Sequence, residues 1–508
     1  MDILALHAAN QPDKPALLQG DRVVTWSELV ADRDRLANAL VGRGLAVGER
    51  CAVYAYNSIE WLLATQAVGV AGAMSVPVNH RLTAEEALYV LDDSDAVVAF
   101  VGDAFLPIVE EIRGELPGVR LWVLLGDERR DWAVSLPDLL AEGAPEPVTL
   151  DGAPTGASML YTAGTTGKPK GAVRGSVDPA LGFGWMQALD LASGDHVHLV
   201  AGPLYHSAPG AFANMTFMVG GTVVVMPRFD AERALASIER YRCTSTFMAP
   251  TLLKRIVDLP AEVRSRHDVS SMRVIVVAGA PCPMRVKEQV IELFGPVLYE
   301  FYGSSELGIN TILRPEDVLR KPGSAGKAAP GLELAVLDES GDPVPVGQPG
   351  ELYVRRYEGM FEGYHKNEEA TAEASRGDLV SVGDVAYLDD EGFVYICDRK
   401  RDMIISGGVN IYPAEIEDAL HRHPDVEDVA VFGVPDDEWG ERVHAAVQPR
   451  PGVELTADDV VAFAREHLAG YKVPREVSFH EDLPRDSAGK LVKRVLREPF
   501  WAGADRRI

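Results

Sequence analysis

The stretch Tyr161-Thr162-Ala163-Gly164-Thr165-Thr166-Gly167-Lys168-Pro169-Lys170-Gly171 holds the densest run of chemistry-bearing residues in the sequence. Its glycines let a backbone approach a ligand closely, and successive N–H groups can cradle phosphate oxygens. The threonine hydroxyls add donors, and Lys168 and Lys170 add positive charge. The spacing is not that of a GxxxxGK[ST] loop. Gly164 and Gly167 stand too close together, and Pro169 occupies the place where a serine or threonine would bind magnesium. A phosphate-binding loop of another kind is expected.

Such a loop needs a frame. Short β-branched runs recur at 51–55, 96–101, 121–125, 197–200, 222–226, 244–248, 274–277 and 297–301, separated by helix-length segments such as 59–73. That alternation predicts an α/β fold of parallel-type sheets with helical crossovers. Near Leu332 the texture changes. The run 332–337, the turn Glu339-Ser340-Gly341-Asp342 and the run 350–354 read as an antiparallel hairpin, and 385–388 with 393–396 reads as another. These form an expected β-rich subdomain. After the charged segment 398–402 comes a compact α+β tail, with helices over 413–422 and 457–467 and strands over 429–432 and 443–447. Two domains are expected, a large one over 1–400 and a small one over 401–508.

The chain has 508 residues, 47% hydrophobic and 25% charged, which supplies ample apolar material for sizeable cores. Acidic residues number 76 against 49 basic ones, a formal charge of -27. Nucleic acid is thereby excluded as an expected partner, because phosphate backbones are held by clustered Lys and Arg. Small anionic substrates need positive charge only locally. Cys51, Cys243, Cys282 and Cys397 lie far apart with no CxxC pair, so reduced thiols in a cytoplasmic protein are expected. The start, Met1-Asp2-Ile3-Leu4-Ala5, lacks the basic and apolar regions of a signal peptide. No stretch offers about 18 uninterrupted apolar residues, so no integral membrane segment is expected.

The glycine- and threonine-rich loop resembles the phosphate loop of the adenylate-forming superfamily, which includes acyl-CoA synthetases, luciferases and peptide-synthetase adenylation domains. Other segments match in the family's order. Tyr302-Gly303-Ser304-Ser305-Glu306 is similar to the YGxTE element, and Ser381-Val382-Gly383-Asp384 to the aspartate motif. The segment 398–408 is similar to the hinge motif, and Pro484-Arg485-Asp486-Ser487-Ala488-Gly489-Lys490 to the terminal lysine motif. Ala163 and Ser305 replace the usual serine and threonine, and Arg401 stands where the hinge is commonly aspartate or lysine. The Asp398-Arg399-Lys400 form is similar to that of fatty-acyl and aryl-type ligases.

The resemblance implies ATP, magnesium and CoA as ligands. Thr162, Gly164, Thr165, Thr166, Gly167, Lys168 and Lys170 would hold the phosphates. Tyr302, followed by Gly303, Ser304 and Ser305, would stack on adenine, with Gly279-Ala280-Pro281 on the other side. Asp384 can accept hydrogen bonds from both ribose hydroxyls, and Arg399 gives planar contacts to ribose or phosphate. Glu306 and Thr165 are the oxygen ligands expected for magnesium. Lys490 would reach the forming acyl phosphate, where one preorganised charge stabilises the transition state by roughly 3–4 kcal/mol. Arg401 would be the hinge of a mobile C-terminal domain, Gly407 and Gly408 would admit the pantetheine arm, and Trp439, Tyr471 and Lys472 would flank CoA.

His206 would stand as a gate or wall beside the acyl chain. The stretches 208–220 and 248–252 are apolar and small, with no arginine to pair with a second carboxylate. The expected substrate is therefore a hydrophobic monocarboxylic acid, medium- or long-chain, aryl or alicyclic. The function implied is a carboxylate–CoA ligase that releases AMP and pyrophosphate. The alternatives are a stand-alone adenylation enzyme loading a carrier protein and a non-catalytic nucleotide-binding module. Residues 206–214 contain no Asp to hold an α-amino group, and Glu306 and Lys490 are both present, which counts against these alternatives. A homodimer is compatible with the sequence.

Overall fold

The computed structural model describes residues 2–150, 157–162, 169–399, 402–406, 409–436, 439–485 and 491–502. Two large sheets form its body. The first has nine strands in the order Lys327–Ala328, Gly308–Leu313, Leu298–Ser304, Val274–Val277, Ser245–Met248, Val197–Val200, Thr222–Val225, Pro15–Gln19 and Arg22–Thr25. Its centre is parallel, and its outer strands are antiparallel. The second has eight strands, with Arg50–Tyr54 between Met74–Pro77 and Ala96–Val101, and the hairpin Ala157–Thr162 and Lys170–Arg174 toward one edge. Near-continuous runs such as Val274–Val277 are buried along their whole length, as strands covered on both faces must be.

Helices cross between the parallel strands, and their starts are written in the sequence. Thr25 with Glu28 and Thr83 with Glu86 close capping boxes on Trp26–Gly42 and Ala84–Asp93. The helix expected over 59–73 ends at Val70, because Gly72 turns to φ +73 and breaks the ladder. Trp26, the first residue of its helix, is fully buried and meets Phe217 edge-on at 5.9 Å.

Six strands form the β-rich sheet, in which Leu334–Leu337 pairs antiparallel with Gly350–Arg355 and Asp384–Leu388 with Val394–Arg399. Both expected hairpins are present. A fourth sheet, of five strands, lies wholly within residues 404–479 and is covered by Pro413–Leu420 and Ala457–His467. Its long hairpin, Val426–Asp436 with Gly440–Pro449, contains the shorter strands read from the sequence. The architecture is the α/β body, β-rich part and small α+β part expected. Among the described residues, no helix is long and apolar enough to cross a membrane.

Candidate active site

Strand Leu298–Ser304 leads directly to the richest cluster of polar side chains. Tyr302 donates from its phenol to Asp384 Oδ2 at 2.5 Å, which joins the parallel body to the β-rich sheet. Asp384 opens its own strand and is only 7% exposed. In register beside it lies Arg399, the last residue of the neighbouring strand. Gly383 reaches φ +79 and donates its N–H to Ser381 Oγ, so the turn before Asp384 is tied to itself.

Glu306 follows on the turn after Ser304, whose hydroxyl accepts from the Leu307 amide at 3.0 Å. The Glu306 carboxylate is 7% exposed, and its Oε1 accepts from Thr162 Oγ1 and from the Tyr364 phenol, each at 3.1 Å. Thr162 and Lys170 are register partners at the mouth of the second-sheet hairpin. The Lys170 ammonium sits 5.3 Å over the Tyr364 ring. The structure thus brings Thr162, Lys170, Glu306, Tyr302 and Asp384 to one edge, where both large sheets and the β-rich sheet meet. Gly164, Thr165, Thr166, Gly167 and Lys168, between the hairpin strands, lie outside the described residues.

The loop Gly279-Ala280-Pro281 joins strand Val274–Val277, which pairs with the strand bearing Tyr302, to helix Met284–Phe294. Gly279 has φ +92, and a Cβ there would meet nothing within 4 Å, so the backbone faces open space. That helix is tied to the strand bearing Tyr302 by an ion pair that sequence reasoning missed. Lys287 on the helix, 3% exposed, bonds Glu300, 9% exposed, on the strand that carries Tyr302. Each looks like an ordinary surface charge in the sequence; only the pairing of helix with strand buries them. Tyr364 was also missed, and nothing in its local sequence marks it as a partner of Glu306.

His206 precedes helix Ser207–Met218, with its ring 4.2 Å from Tyr205. Tyr205 in turn meets His80 edge-on at 4.8 Å. Burial depresses the His80 imidazole to about 4, helped by Arg81, His206 and Arg228, so His80 is neutral at pH 7.

In the C-terminal sheet, Trp439 is 39% exposed beneath the Arg475 guanidinium, which lies 5.2 Å from its ring. Tyr471 is 54% exposed, and Lys472 beside it binds both oxygens of Glu415 at 2.6 Å. Arg401, Gly407, Gly408 and Lys490 lie outside the described residues, and nothing is described of the Arg399 side chain. The segment that would carry Lys490 is framed at its base. Arg485 and Leu491 face each other across an antiparallel bridge, and the Val492 amide donates to the Pro484 carbonyl at 2.8 Å. Arg485 pairs with Asp428, while Lys493 lies 2.9 Å from Glu417 and 3.8 Å from Asp398. Burial alone would depress the Lys493 ammonium, but those two carboxylates hold it above its ordinary value.

A doubly built α/β body with tyrosine, aspartate and glutamate gathered at one edge, followed by a small α+β part, defines an adenylate-forming enzyme. The model of the AMP-binding enzyme family matches residues 4–365, and that of the AMP-binding enzyme C-terminal domain matches residues 415–490. The chain belongs to the AMP-binding enzyme family. It is 37% identical over 498 residues to a feruloyl-CoA synthase of an Amycolatopsis species, covering 97% of each chain. It is 33% identical over 513 residues to the fatty acid–[acyl-carrier-protein] ligase ScoC of Streptomyces coeruleorubidus, covering 99% of this chain and 97% of that one. The anthranilate CoA ligase AuaEII, solved with anthranoyl-AMP, superimposes with a TM-score of 0.89 at 28% identity, covering 99% of this chain and 98% of that one.

Proposed function

We propose that the protein is an ATP-dependent carboxylate–CoA ligase acting on a hydrophobic monocarboxylic acid. The observation that carries this reading is one strand-and-turn, 298–306, that presents Tyr302 to Asp384 at one end and Glu306 to Thr162 and Tyr364 at the other. That spacing suits a nucleotide lying along the strand, with ribose at Asp384 and phosphates toward Glu306 and the 162–170 hairpin. The Gly279-Ala280-Pro281 backbone closes the adenine side, while Arg399, Gly303, Ser304 and Ser305 complete the nucleotide-binding set. A buried carboxylate beside two hydroxyls is a hard oxygen donor set that fits magnesium, with Thr165 as a further ligand. When bound there, magnesium would neutralise phosphate charge.

The acid's carboxylate oxygen forms a bond to the α-phosphorus, and the bond from that phosphorus to pyrophosphate breaks. The product is an acyl-adenylate. Lys490 places its charge where negative charge develops in this step. The CoA thiol then attacks the acyl carbonyl, its proton passes to solvent, and AMP leaves with the oxygen that came from the acid. His206 walls the acyl pocket.

The chain divides into a body over 1–400 and a C-terminal unit over 401–508 that turns about Arg401 between the two steps. Gly407, Gly408, Trp439, Tyr471 and Lys472 serve the CoA side. Four free thiols, Cys51, Cys243, Cys282 and Cys397, support a cytoplasmic location.

The similarity to ScoC supports a second reading, in which the acceptor thiol is a carrier protein's phosphopantetheine. Offering CoA and a carrier protein whose phosphopantetheine thiol is free as rival acceptors separates the two. The central reading is tested by measuring both half-reactions in Lys490→Ala and Gly408→Leu. Lys490→Ala should lower adenylate formation by two to three orders of magnitude and spare thioester formation from supplied adenylate. Gly408→Leu should do the reverse. Equal losses in both steps for both variants would overturn it.

A further inference from the structure

The two carboxylate oxygens of Glu306 are held differently. Oε1 accepts from the Thr162 hydroxyl and from the Tyr364 phenol, each at 3.1 Å. Among the described residues, no hydrogen bond goes to Oε2. The last torsion of a glutamate is broad, so two donors meeting on one oxygen fix the carboxylate and leave the second oxygen to a ligand.

The two donors come from strands on either side of Lys170–Arg174. Ala157–Thr162 pairs with it on one side and Phe361–Tyr364 on the other, each antiparallel. One short turn, 93–95, anchors both arms. Asp93 accepts from the phenol of Tyr161, the neighbour of Thr162, at 2.7 Å. Two residues past Tyr364, the Lys366 ammonium bonds the Asp93 carbonyl at 2.9 Å and the Asp95 carboxylate at 2.8 Å. His365 lies 3.0 Å from that same carboxylate, and its amide donates to the Gly171 carbonyl at 2.8 Å. Asp95 and Lys366 both have left-handed backbones, at φ +51 and +53. For a lysine that conformation is unfavourable by itself, and it persists because the ion pair and the strand pairing over-determine the turn.

The Tyr364 side chain is equally confined. Its ring meets the buried Phe361 edge-on at 4.7 Å, and the Lys170 ammonium stands 5.3 Å above it. A cation over the ring draws electron density from it and makes the phenol a stronger donor. The Tyr364 amide donates to Thr371 Oγ1 at 2.9 Å, which fixes the backbone beneath the ring.

We propose that Tyr364 is a positioning residue for adenylate formation. Its phenol, together with Thr162, holds Oε1 of Glu306 so that Oε2 serves the magnesium that accompanies ATP. Tyr364 acts through Glu306 alone, as the outer hydrogen-bond partners of metal-ligating carboxylates do. The inference rests on the ligase reading and names a residue that tunes its metal site.

The experiment compares wild type, Tyr364→Phe, Glu306→Gln and the double variant. Tyr364→Phe keeps the ring, its contact with Phe361 and the Lys170 cation, and removes only the hydroxyl. The first readout is the magnesium concentration that gives half-maximal pyrophosphate release. The second is the Kd of manganese, used as the probe metal, for enzyme holding a non-hydrolysable ATP analogue, measured by electron paramagnetic resonance. In Tyr364→Phe both should rise about 10-fold or more, while KM for the acid stays within about 2-fold of wild type. The thermal midpoint of the ligand-free protein should stay within about 2 °C of wild type. In the Glu306→Gln background the same substitution should change either constant by less than about 2-fold, because the carboxylate through which Tyr364 acts has gone. Equal effects in both backgrounds, or no effect of Tyr364→Phe on either constant, overturn the inference. So does a fall in kcat at saturating magnesium with a lowered midpoint, which would make Tyr364 a structural residue. If no carboxylic acid releases pyrophosphate, the ligase reading fails, and the manganese measurement alone decides the role of Tyr364.

Discussion

Replacing Lys287 with methionine should be among the most damaging single changes outside the candidate site. The pair Lys287–Glu300 joins helix Met284–Phe294 to strand Leu298–Ser304, and both groups are almost wholly buried. Burial already pushes the Glu300 carboxyl above the ordinary range even with Lys287 beside it. Removing the cation leaves a buried carboxylate with no countercharge, which costs about 3–5 kcal/mol. The double variant Lys287→Met, Glu300→Leu removes both charges while keeping volume, so it should recover most of that loss. The pH response follows from the sign of the shift. A carboxyl whose folded pKa lies above its unfolded pKa is destabilising as pH rises through that window, so Lys287→Met should regain stability on acidification from pH 7 toward pH 5. Urea denaturation of the three proteins at both pH values reads all of this. Because the pair ties the loop at Gly279 to the strand at Tyr302, KM for ATP should also rise in the single variant. A single variant within about 1 kcal/mol of wild type, or a double variant no more stable than the single, would refute the reasoning.

Tyr302→Phe keeps the ring but loses the 2.5 Å hydrogen bond to Asp384, so KM for ATP should rise about 3- to 10-fold with little change in kcat, measured by steady-state kinetics. Glu306→Gln preserves shape and removes charge; it should weaken the magnesium dependence of pyrophosphate release more than it weakens acid binding, measured by metal titration. His198 is fully buried and its pKa is depressed to about 3 by desolvation, so it is neutral in the folded protein. Its unfolded state takes up a proton near pH 6.5, so stability should fall as pH drops from there toward 3, by at most about 1.4 kcal/mol per unit. His198→Asn should flatten that slope in acid denaturation.

The parallel strands were legible because their β-branched runs are short, buried and bounded by turn residues; 96–101 and 197–200 match the observed strands end to end. Strand Leu298–Ser304 runs three residues past the expected 297–301, because antiparallel pairing with Gly308–Leu313 carries it through Gly303 and Ser304, which have little strand preference of their own. Pro15–Gln19 was not legible as a neighbour of Thr222–Val225, since a pairing across some two hundred positions leaves no local signal. Tyr302, Glu306 and Asp384 could be named from short motifs and do converge. Tyr364, Lys287 and Lys493 could not, because what marks them is burial and partnership created by packing.

The central claim is that a carboxylate oxygen attacks the α-phosphorus of ATP before any thiol acts. Incubating the enzyme with ATP, CoA and an acid labelled with oxygen-18 in its carboxylate tests this most directly, with AMP analysed by mass spectrometry. Transfer of one labelled oxygen into each AMP, with one pyrophosphate and one thioester formed, is the result expected. Label found in inorganic phosphate alongside ADP, or AMP formed without label, would contradict it.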